Sequence, residues 1–241
     1  MPLPLTSRTA LVTGASRGIG AAIAIALGEA GASVAINYRE RAAEAASVAA
    51  RITTKTITIA ADVSSSNSVT AMVQTTQEKL GPIDILVNNA GIALIRGLDD
   101  LTEADFDNTI ATNLKSVFLC TQAVLPHMRA QRWGRVVNIS SGAARGAGGV
   151  GVHYNASKAG MEGLTRGYAA RLVKHGITVN AVAPSLIETD MVKSGLASSA
   201  ARIPLGRFGT AEEVAHVVMM LIQNEYLTGQ TVALSGGIAF N

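Results

Sequence analysis

The chain has 241 residues, of which 48% are hydrophobic and 4% aromatic, with a formal charge of +3 and one cysteine, Cys120. That is enough apolar material for one sizeable core in a single domain over residues 1–241. Scattered basic residues argue against a nucleic-acid footprint, and the lone thiol excludes an internal disulfide or a cysteine metal cluster. No charged leader with a long apolar run is apparent and no stretch approaches a membrane span, so the chain is expected to be soluble and cytoplasmic.

The first informative stretch is Ala10-Leu11-Val12-Thr13, a short apolar strand. It runs into Gly14-Ala15-Ser16-Arg17-Gly18-Ile19-Gly20 and then an Ala/Ile/Leu-rich helix from Ala21 to Ala30. Glycines at a strand-to-helix junction permit a tight turn and let a helix N-terminus approach a diphosphate. Gly14, Ser16, Arg17, Gly18, Ile19 and Gly20 are therefore candidates for cofactor binding. The spacing is G-x-x-x-G-x-G rather than G-x-G-x-x-G, and a glycine-rich turn with no ligand is the alternative. The next strand, Ser33 to Asn37, ends in Tyr38-Arg39. An acidic residue there would accept from a ribose 2′-hydroxyl, and none stands at Asn37 to Arg39. Arg17 and Arg39 are instead shaped to grip a 2′-phosphate, favouring NADPH over NADH unless both are plain surface arginines.

A helical segment is expected from Arg41 to Ile52, then a strand from Thr56 to Ala60, with Asp62-Val63 on the adenine side of such a cleft. Ser65 is placed to cap a helix running to Leu80, which Gly81-Pro82 stops. Ile83 to Val87 reads as a buried parallel strand delivering Asn88-Asn89-Ala90-Gly91 at its carboxyl end, where ligands of α/β sheets bind. A long helix from about Thr102 to Ala130 carries Asn113 among apolar neighbours. Asparagine is unfavourable there by propensity, so it makes a specific hydrogen bond or is simply exposed. Cys120 reads as a buried structural thiol.

The strand Arg135 to Ile139 opens into Ser140-Ser141 and a glycine-rich loop to Gly151. The helix beyond carries Tyr154 and Lys158, four apart and so on one face. A neighbouring ammonium lowers the pKa of a phenol from about 10 toward the range useful for proton transfer. A sixth strand, Ile177 to Ala183, ends at Pro184, and Ser185 to Gly209 has the small residues of an active-site lid. A helix from Ala211 to Ile222 and a strand from Thr231 to Leu234 close the chain. The alternation predicts a doubly wound α/β fold of Rossmann type, with a central parallel sheet flanked by helices. His127, His153 and His216 lack metal-ligand spacing, so no metal site is expected. Trp133 reads as a packing residue.

Thr13-Gly14, Gly18-Ile19-Gly20, Asn88 to Gly91, Asn113, Ser141, and Tyr154 with Lys158, in this order along the whole chain, resemble the short-chain dehydrogenase/reductases. Among these the chain is most similar to the β-ketoacyl-acyl-carrier-protein reductases, through Thr13 to Gly20, Ile187 to Met191, Ile203 to Arg207 and Leu227 to Gln230. The resemblance implies NADPH-dependent reduction of a carbonyl, from a 3-oxoacyl group on acyl carrier protein to 3-hydroxyacyl. It implies Tyr154 as proton donor, Ser141 as hydrogen-bond partner of the carbonyl, Lys158 on the nicotinamide ribose and Asn113 holding a relay water. Asn89, Ala90 and Gly91 would line the cofactor, with Ile187 and Thr189 at its carboxamide. A homotetramer built on the Asn113 and Tyr154 helices is also implied.

There are departures from that family's pattern. Pro184-Ser185 replaces the usual Pro-Gly and adds a side chain near the nicotinamide position. Carrier docking falls to Arg132 with His175 in place of a second arginine, helped by Arg171 and Lys174. Relatives sharing these motifs also reduce small ketones, sugars or steroids. A non-catalytic NADP-binding regulator on the same fold is the remaining alternative.

Overall fold

In the computed structural model, which describes residues 5–188 and 200–239, seven strands form one sheet in the order β3-β2-β1-β4-β5-β6-β7. They are β1 (Thr9–Val12), β2 (Ser33–Tyr38), β3 (Thr56–Ala60), β4 (Ile85–Asn88), β5 (Gly134–Ile139), β6 (Ile177–Pro184) and β7 (Thr231–Leu234). Every neighbouring pair is parallel, with Leu11, for example, in register with Ala35 on one side and Leu86 on the other. Parallel neighbours need crossovers. The helices that supply them are α1 (Gly18–Glu29), α2 (Ala42–Ala49), α3 (Ser66–Leu80), α4 (Glu103–Ile110), α5 (Ser116–Gln131), α6 (Val152–Leu172) and α7 (Ala211–Gln223). This is the doubly wound arrangement expected from the sequence.

Side chains alternate across a strand, so neighbours in β1 serve different layers. Ala10 and Val12 face a core with Ile23 and Leu27 of α1 and Val214, Val218 and Leu221 of α7. Leu11 faces the other core, with Met72 of α3, Cys120 and Val124 of α5 and Leu172 of α6. Each buried aliphatic side chain contributes about 1.5–3 kcal/mol relative to exposure. Covering both faces therefore makes the strands continuous apolar runs rather than alternating ones.

The strand order reverses between β1 and β4, which leaves a crevice at their carboxyl ends. The elements bordering it follow their sequence signals closely. Ser65 caps α3 by accepting from the Ser68 amide at 3.4 Å, and Gly81 ends the helix with φ 96°. The helical region expected over Thr102 to Ala130 is present and continuous, but it is not uniformly α-helical. Thr102 opens α4 through a capping box with Asp105, a π-helical turn spans Ala111–Lys115, and α5 follows. An inserted π turn shifts side chains out of α-helical register, and Asn113 sits in that turn. The helix expected to reach Ile52 stops at Ala49, and Ile52 packs where a Cβ on Gly28 would lie. The middle of the expected lid, including Thr189, lies outside the described residues. Its two described ends meet in a bridge between Ile187 and Gly209. Among the described residues no helix is long and apolar enough to cross a membrane.

Candidate active site

At the carboxyl end of β1, Thr13 ties two strands together. Its Oγ1 accepts from the amides of Asn89 and Ala90, both at 3.0 Å, and the Asn89 side chain donates back to the carbonyls of Thr13 and Gly14 at 2.9 Å. Gly14 takes φ +61°, and a Cβ there would stand 2.8 Å from the Ala90 Cα; one on Gly20 would stand 2.5 Å from the Asn89 Nδ2. Only glycine lets these two loops approach so closely. Helix α1 starts at Gly18 with no side-chain cap from Arg17 and no acidic residue in its first turn. Its first amides and the positive end of its dipole are thus left for an anion.

A cleft of about 500 Å³ opens at this point. Gly14, Ser16, Arg17, Gly18, Ile19 and Gly20 line one wall, Arg39, Asp62 and Val63 another, and Asn89, Ala90 and Gly91 the floor. These are cofactor candidates of the sequence, brought together from four loops. Asn37 at the end of β2 points inward, its Oδ1 accepting from Gly14 N at 3.1 Å and its Nδ2 donating to Ala61 O at 3.0 Å. Arg39 pairs with Glu40 at 2.9 Å, both half-exposed or more. Burial acts to raise the Asp62 pKa, but the hydroxyl and amide of Ser64 outweigh it and hold the carboxyl below its usual value. Glu40, Ile92, Thr112 and Glu188 also line the cleft. No motif marks them, because their place depends on which loops the fold apposes.

Beside the cleft lie the four candidate catalytic residues. Tyr154 and Lys158 are both nearly buried on the inner face of α6, with the Lys158 Nζ 5.7 Å from the Tyr154 ring centroid. The ammonium donates to Ile139 O at 2.8 Å. Ser141 follows β5; its Oγ accepts from Ala143 N at 3.2 Å, and it stands near enough to Tyr154 to act on the phenol's pKa. Asn113 is wholly buried: it accepts from Ile92 N at 2.8 Å and donates to Ile92 O at 3.0 Å and Ser157 Oγ at 3.2 Å. The Ser157 hydroxyl in turn donates to Tyr154 O at 2.7 Å. The specific hydrogen bond expected of Asn113 is thus present; its partner Ile92 was not legible from spacing. Gly91 joins the two regions, since a Cβ there would meet Asn113 Oδ1 at 3.2 Å and Lys158 Nζ at 3.7 Å. Ile187 is buried next to the Gly209 bridge and does not line the cleft.

The electrostatics differ from the expectation. Burial pushes the Tyr154 pKa up, with the Ser141 hydrogen bond acting against it, so the phenol is not lowered by its lysine neighbour. Burial also pulls Lys158 down, to about 8. The physical reason is that both groups have left water, which penalises phenolate and ammonium alike; one of the three ammonium donors is taken by the Ile139 carbonyl.

Cys120 and Trp133 are packed as structural residues. Cys120 is buried and its thiol pushed up to about 12. Trp133 is a packing residue, sandwiched by the guanidinium groups of Arg8 at 3.8 Å and Arg135 at 4.2 Å. Among the described residues no three His, Cys, Asp or Glu side chains form a metal-binding group.

A family model described as short chain dehydrogenase matches residues 8–199. The chain is 42% identical over 241 residues to the 3-oxoacyl-[acyl-carrier-protein] reductase of Synechocystis sp., covering 97% of this chain and 98% of that one. It is 42% identical over 247 residues to the 3-oxoacyl-[acyl-carrier-protein] reductase FabG of Pseudomonas aeruginosa, covering 98% and 99%. Among solved structures, a double mutant of a Serratia marcescens short-chain dehydrogenase/reductase superposes with a TM-score of 0.92 at 36% identity, covering 98% of this chain and 99% of that one.

Proposed function

The chain belongs to the short-chain dehydrogenase family, and from this premise we propose that it reduces a 3-oxoacyl thioester on acyl carrier protein to the 3-hydroxyacyl form, using NADPH, in the cytoplasm. It is an oxidoreductase of CH–OH and C=O groups. The observation that carries the proposal is the pairing, at one switch point, of an uncapped helix N-terminus with the buried Tyr154 and Lys158 of one helix face, beside Ser141.

In this reading Ser141 and Tyr154 both hydrogen-bond the carbonyl oxygen, and Tyr154 gives it the phenolic proton. A raised pKa keeps that proton in place at neutral pH. Lys158 would hold the nicotinamide ribose, Asn113 would order the water through which the proton is replaced, and the carboxamide is assigned by the family resemblance to Ile187, next to the cleft-lining Glu188, and to Thr189. The bound cofactor supplies the hydride; the protein supplies position, charge and the proton.

The preference for NADPH rests on Arg17 and Arg39. The exposed Arg39–Glu40 pair is worth about 0–1 kcal/mol, whereas a charge-assisted bond to a phosphate is worth about 1.5–3 kcal/mol. Exchanging the carboxylate for a 2′-phosphate is therefore favourable.

Steady-state oxidation of NADPH and NADH, with a carrier-linked 3-oxoacyl substrate, a soluble 3-oxoacyl thioester and a panel of small ketones, tests the reading. The expected result is turnover with NADPH well above NADH, and fastest with the carrier-linked form. Preference for a small ketone overturns the substrate. Binding of NADPH without turnover of any of them identifies a regulator instead.

A further inference from the structure

Tyr154 and Lys158 are the first two members of a stripe on α6 whose third, one turn further on, is Glu162. This carboxylate is 4% exposed, an uncommon setting for a charge unless it is paired. Both its oxygens are used. Ser140 Oγ lies 3.3 Å from both Oε1 and Lys158 O and shares its one proton between them, and Arg145 Nε donates to Oε2 at 3.1 Å. Ser140 directly precedes Ser141, and Arg145 stands four residues beyond it, at the end of the short 3₁₀ turn Gly142–Ala144. The Arg145 side chain is 41% exposed while that of Glu162 is 5% exposed, so the guanidinium reaches down from the surface onto a fixed, buried anion. A second tether on the same helix holds the same loop: Asn155 Nδ2 lies 2.7, 2.7 and 2.9 Å from the carbonyls of Ala143, Gly146 and Ala147.

We propose that Glu162 is a positioning residue, which latches the Ser141 loop onto α6 through Ser140 and Arg145 and so fixes Ser141 against the Tyr154 phenol. This rests on the reductase reading for its kinetic consequences but not for its structural one. Ser141 Oγ accepts from Ala143 N at 3.2 Å, a bond within its own turn, so its distance from Tyr154 depends on where that turn sits on α6. An anchor on each flank of Ser141, both leading to one carboxylate, sets that distance. A misplacement of about 1 Å is enough to cost about 10²-fold in rate.

The test compares Arg145→Gln, Glu162→Gln, the double variant and Arg145→Lys in the full chain, with NADPH and a soluble 3-oxoacyl thioester. Expected are a loss of about tenfold or more in kcat/KM for the thioester in each Gln variant, with no further loss in the double, and an NADPH Kd changed by less than about twofold. Arg145→Lys should recover most of the loss. Deuterium uptake over residues 142–151 of the free protein should rise in both Gln variants and stay low in Arg145→Lys. Undiminished kcat/KM, losses that multiply in the double, or an NADPH Kd that rises in parallel overturns the latch. If Glu162→Gln fails to fold, the half-exposed Arg145 still gives the comparison. If the unmodified protein reduces no thioester, the reductase reading fails and uptake alone decides: unchanged protection in Arg145→Gln sinks the proposal.

Discussion

Tyr154 and Lys158 are both moved by burial toward neutrality, and the two shifts have different consequences. A raised phenol suits a proton donor, because it carries its proton throughout the neutral range. Tyr154→Phe keeps the ring and removes that proton, so turnover should fall about 10²-fold or more with NADPH affinity nearly unchanged; fluorescence titration beside steady-state kinetics separates the two. For Lys158 the sign runs the other way. With its pKa near 8, the ammonium is present below that pH and lost above it. Since Lys158 is assigned to the ribose, kcat/KM for NADPH should fall as pH rises through about 8. In the unfolded chain the same lysine keeps its proton to about pH 10.4. Between these values the unfolded state binds more protons, so this group makes stability rise with pH across that window. Urea unfolding of the protein and of Lys158→Met through the window should show the slope in the former and its reduction in the latter.

The glycine-rich turn is the element on which the cleft depends. Gly14 sits at φ +61°, where an L side chain costs about 1–2 kcal/mol, and its Cβ would press on the end of β4 at Ala90. Gly14→Ala should therefore lower Tm by several degrees, since about 1 kcal/mol corresponds to about 2–4 °C at this chain length. It should also weaken NADPH binding more than it slows bound-state turnover, because it moves the turn and not Tyr154. Thermal unfolding and cofactor titration check the pair of effects, and unchanged binding would show that the turn does not hold the diphosphate. The π turn at Ala111–Lys115 plays the matching part on the other side, carrying Asn113 to the backbone of Ile92.

At the scale of the whole molecule, assembly and carrier docking are linked. Phe118 on α5 is 45% exposed, Met220 on α7 41% and Tyr226 99%, which leaves apolar groups open for the homotetramer that the family resemblance implies. Sedimentation at micromolar concentration should give four chains; a monomer would remove that reading. Arg132 and Lys174, joined by an Arg132 Nη2 bond to Lys174 O at 3.0 Å, stand before β5 and β6, at the amino ends of the strands. Ser141 and the cleft stand at the carboxyl ends, about 20 Å away along a six-residue strand. A carrier docked on that patch thus has to reach across the sheet or serve a partner's site, which makes the assembled state part of the proposed activity.

The sequence by itself determined the strand and helix order, the parallel sheet, the glycine-rich turn at the head of α1 and the identity of Tyr154, Lys158, Ser141 and Asn113 as candidates. Those features are local: apolar runs, glycines at a junction, a cap at Ser65, and residue types repeated at a helical period. Tertiary structure alone decided what faces what. It put a π turn in the Asn113 helix, gave Asn113 the Ile92 backbone, turned the Lys158 ammonium to Ile139, and buried Glu162 under Arg145. It also placed Arg132 at the amino end of β5, away from the cleft. The physical reason is that a hydrogen bond or a desolvation penalty depends on distance through space and on lost water. Spacing along the chain reports a period and carries no measure of either.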